Sequence, residues 1–189
     1  MPTEAFAIAW LVWLISWFAA AAWTKKTVKR PTVGRELVYR VLTMIGAILM
    51  FNGGSARTVL WRTSATVGWI LFALTVTGFA FTWWARLHLG RLWSSSVTRK
   101  EHHHVVDSGP YSVVRHPIYT GLLLAIVATM LVRMTAVTIA GAAVLASGIY
   151  IKARLEEKFL REQLGAPYDE YARRVPMLIP FAPTRQPAR

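Results

Sequence analysis

The chain has 189 residues, 54% of them hydrophobic, with a mean hydropathy of +0.38 and only 16% charged. Soluble domains carry about 25% charged residues, so this composition excludes an ordinary soluble domain, and zero Cys excludes disulfides, thiolate nucleophiles and cysteine metal sites. The formal net charge of +13 does not point to nucleic acid, because the basic residues flank apolar segments and do not decorate one soluble face.

Glu4 to Trp23 is an apolar run long enough to cross roughly 30 Å of hydrocarbon. A signal peptide needs basic residues before such a run; here Lys25-Lys26-Thr27-Val28-Lys29-Arg30 follows it, which predicts a retained first span. Trp10, Trp13, Trp17 and Trp23 partly recur at helical spacing, and interfacial or lipid-facing anchoring is expected of them. A second span is expected over Glu36 to Asn52, broken by Gly53-Gly54-Ser55, and a third over Thr66 to Leu87, with Trp83, Trp84 and Arg86 at its interfacial end.

The polar stretch from His88 to His116 is the longest connection, and long connections in small proteins carry function. His102-His103-His104 lies in it; three successive histidines cannot face one ion in regular structure, so no metal site is expected. His88 is read as structural. The stretch ends in Gly109-Pro110-Tyr111-Ser112-Val113-Val114-Arg115-His116-Pro117-Ile118-Tyr119-Thr120-Gly121. Gly109-Pro110 is turn chemistry, and Pro117 suits the first turn of a helix, where its missing N–H costs nothing. Arg115 and His116 then sit at a helix mouth whose unpaired N–H groups favour an anion. Gly121 bares the backbone for close approach of a neighbour or ligand.

Two apolar runs follow, Ile118 to Val132 and Thr135 to Ile151, joined tightly enough to predict a helical hairpin. Lys152 to Leu164 is charged and amphipathic, stopped by Gly165 and Pro167, and a short helix from Pro167 to Arg174 ends at Val175-Pro176. The expected fold is an all-α integral membrane protein with five transmembrane helices, the last two a hairpin, and a cytosolic amphipathic C-terminal helix. It is read as one membrane domain, 1–189, in which 1–64 holds two N-terminal spans and 65–189 the catalytic half. Nineteen basic residues fall in the Lys25–Arg40 region, the Arg86–Arg115 loop and the tail from Lys152, against Arg57, Arg62 and Arg133 elsewhere. The positive-inside rule puts the nineteen in the cytosol, making this a multi-pass protein (of the cytoplasmic membrane in a bacterium) with Arg115, His116 and the acidic pair Glu156-Glu157 on one face.

That acidic pair has two readings. As a solvated helix end, Glu157 would pair Arg161 at i,i+4; as part of a site, one carboxylate would meet Arg115 and His116. Adjacent side chains point about 100° apart on a helix, so only one of the two is expected to face the site squarely.

The chain resembles the isoprenylcysteine carboxyl methyltransferase family, with phospholipid N-methyltransferases as relatives. The resemblance spans about residues 83 to 181 and rests on Leu89-Gly90-Arg91-Leu92-Trp93-Ser94, Val106-Asp107-Ser108-Gly109-Pro110-Tyr111, the Arg115 to Gly121 run, Glu156-Glu157, and Leu164-Gly165-Ala166-Pro167-Tyr168 through Val175-Pro176-Met177-Leu178-Ile179-Pro180. It implies S-adenosyl-L-methionine as methyl donor, held without a Rossmann domain. His116, Tyr119 and Gly121 would line the donor pocket, Val106, Gly109 and Tyr111 would contact the donor partly through backbone, and Glu156 and Glu157 would close it. Arg115 and Glu157 would be the catalytic pair nearest a lipophilic or prenylated acceptor. Membrane lipid is the other partner implied.

In-line transfer from the sulfonium needs alignment more than acid–base help when the acceptor is a carboxylate, already ionised at neutral pH. Arg115 would hold such a carboxylate by a forked pair of hydrogen bonds. An amine acceptor must lose a proton, which makes Glu157 a candidate base. The competing readings are a phospholipid or small-amine N-methyltransferase, a membrane reductase, and a non-catalytic scaffold whose basic tail holds anionic lipid.

Overall fold

The computed structural model describes residues 3–20, 27–29, 33–52, 59–90, 99–100 and 105–184. Helix α1 is Thr3–Ala19, α2 Val33–Asn52, α3 Ala65–Leu89, α4 Pro117–Val132, α5 Ala136–Leu164 and α6 Ala166–Arg174, with a 3-10 turn at Gly109–Ser112. A short antiparallel ribbon, β1 (Thr27–Lys29) with β2 (Arg99–Lys100), is the rest of the regular structure among the described residues, so the fold is all-α in substance. The His102–His104 run, Trp23, and the Gly53-Gly54-Ser55 break lie outside the described residues.

The helix ends follow local chemistry. Ser64 caps α3 by accepting from Val67 N at 3.3 Å, and Pro117 opens α4 with His116 just outside it. Thr135 and Thr138 form a reciprocal capping box at the start of α5. Gly165 stops that helix at φ +61, a conformation that suits glycine. The fifth apolar run continues as helix through the charged tail: α5 runs unbroken for 29 residues, because Lys, Arg, Leu and Glu are all good helix formers.

One core draws on all five long helices: Trp10 and Trp13 of α1, Met50 of α2, Phe79 of α3, Ala125 and Ile126 of α4, and Ala142, Leu145 and Ile149 of α5. The tight turn after α4 forms as expected, yet each arm packs mainly elsewhere, α4 on α3 and α5 on α2. Glycines set both contacts. A Cβ on Gly121 would overlap the carbonyl oxygen of Gly78, and one on Gly141 would overlap the backbone of Met50. Such close approach of small residues is how helices associate where no hydrophobic force drives them together.

The reading of Trp10 and Trp13 is corrected. Both are buried, and their indole N–H groups donate inward, Trp10 to Thr129 Oγ1 at 3.0 Å and Trp13 to Thr82 Oγ1 at 2.9 Å. Helical spacing identified their common face but not its direction. The outward face of α1 carries Ile8, Leu11, Val12, Ile15 and Phe18, and α2 and α3 expose Leu37, Met44, Ile48, Trp69 and Ile70. Apolar surface on this scale marks a membrane protein. By length and composition α3 and α5 suffice to cross a bilayer, while α1 and α4 are shorter apolar helices.

The two ends of the bundle differ. At one, Leu60 N donates to Met134 O at 2.8 Å, joining the α2–α3 connection to the α4–α5 turn. At the other meet the start of α2, the end of α3, the 3-10 turn, the start of α4, the end of α5, and α6.

Candidate active site

Tyr171 of α6 fixes the loop that leads to the site. Its hydroxyl donates to Tyr111 O at 2.7 Å, and burial holds the phenol protonated by raising its pKa. Tyr111 is itself buried and stacks on His88, whose Nε2 lies 2.9 Å from Ser108 Oγ. Gly109, at φ +56, lies against the His88 ring, and any side chain there would strike it. His88 is therefore structural, as expected.

After this loop the chain is strapped by the segment behind α6. Arg115 N donates to Pro176 O at 2.8 Å, His116 N to Met177 O at 3.1 Å, and Thr120 Oγ1 to Leu178 O at 2.6 Å. The Arg115 guanidinium donates through Nε to Glu157 Oε1 at 2.6 Å and through Nη1 to Ala172 O at 2.9 Å and to Val175 O. Glu157 is 2% exposed, and its second oxygen accepts from Arg161 Nη2 at 3.3 Å. Both sequence readings of Glu157 thus hold together: it pairs Arg161 at i,i+4 and meets Arg115, but it is no solvated helix end. Desolvating such a pair costs several kcal/mol per ion, which is offset only when the remaining hydrogen bonds are made, as they are here.

His116 sits between the two carboxylates. Its Nδ1 is 3.6 Å from Glu156 Oε2, and its Nε2 is 3.5 Å from Glu157 Oε1, within ion-pair range but without a hydrogen bond on Nε2. Adjacent glutamates diverge on a helix, yet an imidazole has nitrogens on two edges, so one ring reaches both; the expectation that only one would face the site is corrected. Burial alone would lower the His116 pKa, but Glu156 and Glu157 outweigh it and leave it raised. Tyr119 stacks on the His116 ring at 5.5 Å and donates its hydroxyl to Glu156 Oε1 at 2.6 Å.

The sequence-expected set therefore divides. Arg115, His116, Tyr119, Glu156 and Glu157 form one contiguous cluster. Tyr111 and Gly109 stand beside it on the 3-10 turn, and Val106 precedes them, half-buried. The backbone of Gly121 is met by Gly78 and Thr82, so the close neighbour there is α3. The model of the isoprenylcysteine carboxyl methyltransferase (ICMT) family matches residues 69–162, the segment that carries this cluster.

The chain belongs to the isoprenylcysteine carboxyl methyltransferase family.

Among its similar proteins are protein-S-isoprenylcysteine O-methyltransferase B of Arabidopsis thaliana, 35% identical over 86 residues, 45% of this chain and 44% of that one. Methanethiol S-methyltransferase 2 of Bradyrhizobium diazoefficiens is 29% identical over 163 residues, 79% of this chain and 61% of that one. Methanethiol S-methyltransferase of a Pseudomonas species is 46% identical over 70 residues, 37% of this chain and 26% of that one. The chain spans about half the length of the Arabidopsis protein and less than two thirds of the other two.

Outside the part matched to the isoprenylcysteine carboxyl methyltransferase family, sequence reasoning missed the carbonyls of Ala172, Val175, Pro176, Met177 and Leu178, which carry no side-chain signal. It also missed Tyr39 of α2, whose ring lies 5.6 Å from Lys152 Nζ, itself 5.4 Å from the Tyr119 ring. A depression of about 600 Å³ along the outer face of α5, between Tyr150 and Arg161, includes none of the site residues.

Proposed function

We propose that this protein is a five-span membrane methyltransferase that takes its methyl group from S-adenosyl-L-methionine. It passes the group to a lipophilic acceptor at the cytosolic face, first of all a carboxylate of isoprenylcysteine type. The observation that carries the reading is His116 lying between Glu156 and Glu157 at the mouth of α4, a polar cluster built into the family-matched half of the chain.

The cluster fits the polar end of that donor. His116 Nε2 is buried with no hydrogen bond, the start of α4 favours an anion, and the two carboxylates suit an ammonium or ribose hydroxyls. His116, Tyr119, Glu156 and Glu157 would hold it, with Val106, Gly109 and Tyr111 alongside. When bound, the donor supplies a sulfonium-activated methyl group. The protein's own part is orientation: Tyr119 and His116 fix Glu156, while Arg115 and Arg161 fix Glu157. Of the expected catalytic pair, Glu157 is proposed as the catalytic carboxylate and Arg115 as the residue that positions it, because the Arg115 fork is engaged on Glu157 and the tail carbonyls and not open to grip an acceptor carboxylate. Alignment of this kind supplies up to about 7–11 kcal/mol in favourable cases.

A thiol acceptor is the second reading, favoured because the match to the Bradyrhizobium methanethiol S-methyltransferase extends over 79% of this chain. The two readings separate on pH. A carboxylate is ionised throughout the neutral range, whereas a thiol ionises only above it, at about pH 8.5 for cysteine and higher for a simple alkanethiol.

The test is binding of labelled S-adenosyl-L-methionine to purified protein in micelles, with NADPH as the rival ligand, followed by methyl transfer in wild type, Arg115→Lys and Glu157→Gln. Donor binding that Glu157→Gln abolishes supports the reading. Binding of NADPH alone, or unchanged transfer in both variants, overturns it.

A further inference from the structure

Helix α2 lies outside residues 69–162, yet its first turns reach the active site. Glu36 and Tyr39 are three residues apart and so share a helix face. They are 7% and 4% exposed. Glu36 Oε2 is held by Arg40, while Glu36 Oε1 is buried and forms no hydrogen bond with any described residue, and the buried Tyr39 hydroxyl has only the Arg40 guanidinium near it, without a well-formed bond. Buried polar atoms are nearly always bonded, and the exceptions concentrate where a ligand or water belongs. Between this face and the catalytic cluster stands Lys152, whose ammonium lies against both the Tyr39 and Tyr119 rings, and the Tyr119 hydroxyl is bonded to Glu156.

We propose that Glu36 and Tyr39 form the subsite that reads the methyl acceptor, by receiving an N–H or O–H group that flanks its reacting atom. The inference rests on the methyltransferase reading above and extends it to an element the family match leaves out. A carboxylate oxygen accepts hydrogen bonds and does not donate them, and a phenol hydroxyl does both, so together they select a hydrogen-bond donor. A bare carboxylate placed against Glu36 would be repelled. The acceptor therefore turns its donor group to α2 and its reacting group away from Glu36, toward the methyl group that the donor would present. Leaving a buried site atom unpaired is a strong way to reject an analogue that lacks the matching group.

The experiment uses the full chain in micelles and two probes with the same tail, thioether and carboxylate: N-acetyl-S-dodecylcysteine and 3-(dodecylthio)propanoic acid, which lacks the amide. Dissociation constants are measured by calorimetry, with S-adenosyl-L-methionine binding in parallel. Wild type is expected to prefer the amide probe by about tenfold. Glu36→Gln, which turns an acceptor position into a donor, and Tyr39→Phe are each expected to cut that preference below threefold while leaving donor affinity within twofold. Ligand-free Tyr39→Phe is expected to melt within about 1 °C of wild type, because the hydroxyl it removes forms no well-made bond among the described residues. Equal or absent binding of both probes by wild type overturns the proposal. A preference kept by either variant removes that residue, and a larger melting drop in Tyr39→Phe shows a structural hydroxyl and overturns its role. Failure of wild type to bind S-adenosyl-L-methionine is a separate result, and it overturns the methyltransferase reading itself.

Discussion

Arg115 and Glu157, 42 residues apart in sequence, meet through Nε and Oε1 at 2.6 Å in a setting where both side chains are at least nine-tenths buried. That contact joins the start of α4 to the end of α5 and makes one site of two polar patches. Removing Glu157 leaves the buried Arg115 guanidinium with carbonyls alone, and removing Arg115 leaves Glu157 to Arg161 and His116; breaking a buried pair costs about 3–5 kcal/mol, with the larger loss expected for Glu157→Ala. Arg115→Ala and Glu157→Ala are each expected to lower the melting temperature in micelles by roughly 10 °C. The double variant should lose much less than the sum, and strict additivity in that cycle would show that the contact carries no coupling.

His116 predicts a pH dependence with a definite sign. Its pKa is raised in the folded protein, so the stability it contributes is complete below its unfolded value of about 6.5 and is lost as pH rises through the folded value. The melting difference between wild type and His116→Gln should therefore shrink from pH 6 toward pH 9. A difference that grows over that range contradicts the assignment of a charged imidazole between two carboxylates.

Gly121 and Gly165 should respond to alanine for different reasons. A Cβ at Gly121 overlaps the backbone oxygen of Gly78, so α3 and α4 must separate, at a cost of about 1–3 kcal/mol or more. At Gly165 nothing lies within 4 Å, and the penalty is only the positive φ, about 1 kcal/mol. Thermal melts of the two variants should rank in that order. Donor binding should fall further in Gly121→Ala, because α4 carries Tyr119 and begins directly after His116.

Trp13→Phe removes a buried indole donor to Thr82 while keeping an aromatic ring. Interhelical hydrogen bonds in membranes are worth about 0.6 kcal/mol, up to about 1.7. A small loss of stability is expected, with donor affinity unchanged, since the contact lies in the core and not in the site. A lipid-facing Trp13 would show no loss at all.

Much of this arrangement is legible in the residues. Pro117 and Gly165 announce helix ends because their backbone restrictions act locally, and the clustering of basic residues put Arg115 and Glu157 on one face before any contact was known. The direction of Trp10 and Trp13 was not legible, because spacing gives a face and only packing says what it meets. The continuation of α5 past Lys152 could be read as an option only, since the change from apolar to charged residues there alters the solvent and not the helix. The grip on Arg115 by carbonyls of residues 172 and 175 has no sequence signature, and neither does the reach of one imidazole to two neighbouring glutamates.

The segment from Val175 to Leu178 receives hydrogen bonds from Arg115, His116 and Thr120, and it follows every long helix in the order of synthesis. While the ribosome is still making it, the helices can enter the bilayer and pair, but the mouth of α4 has nothing to fasten against. The mouth of α4 can therefore be fastened only after residues 175–178 have been made, later than the long helices that it joins.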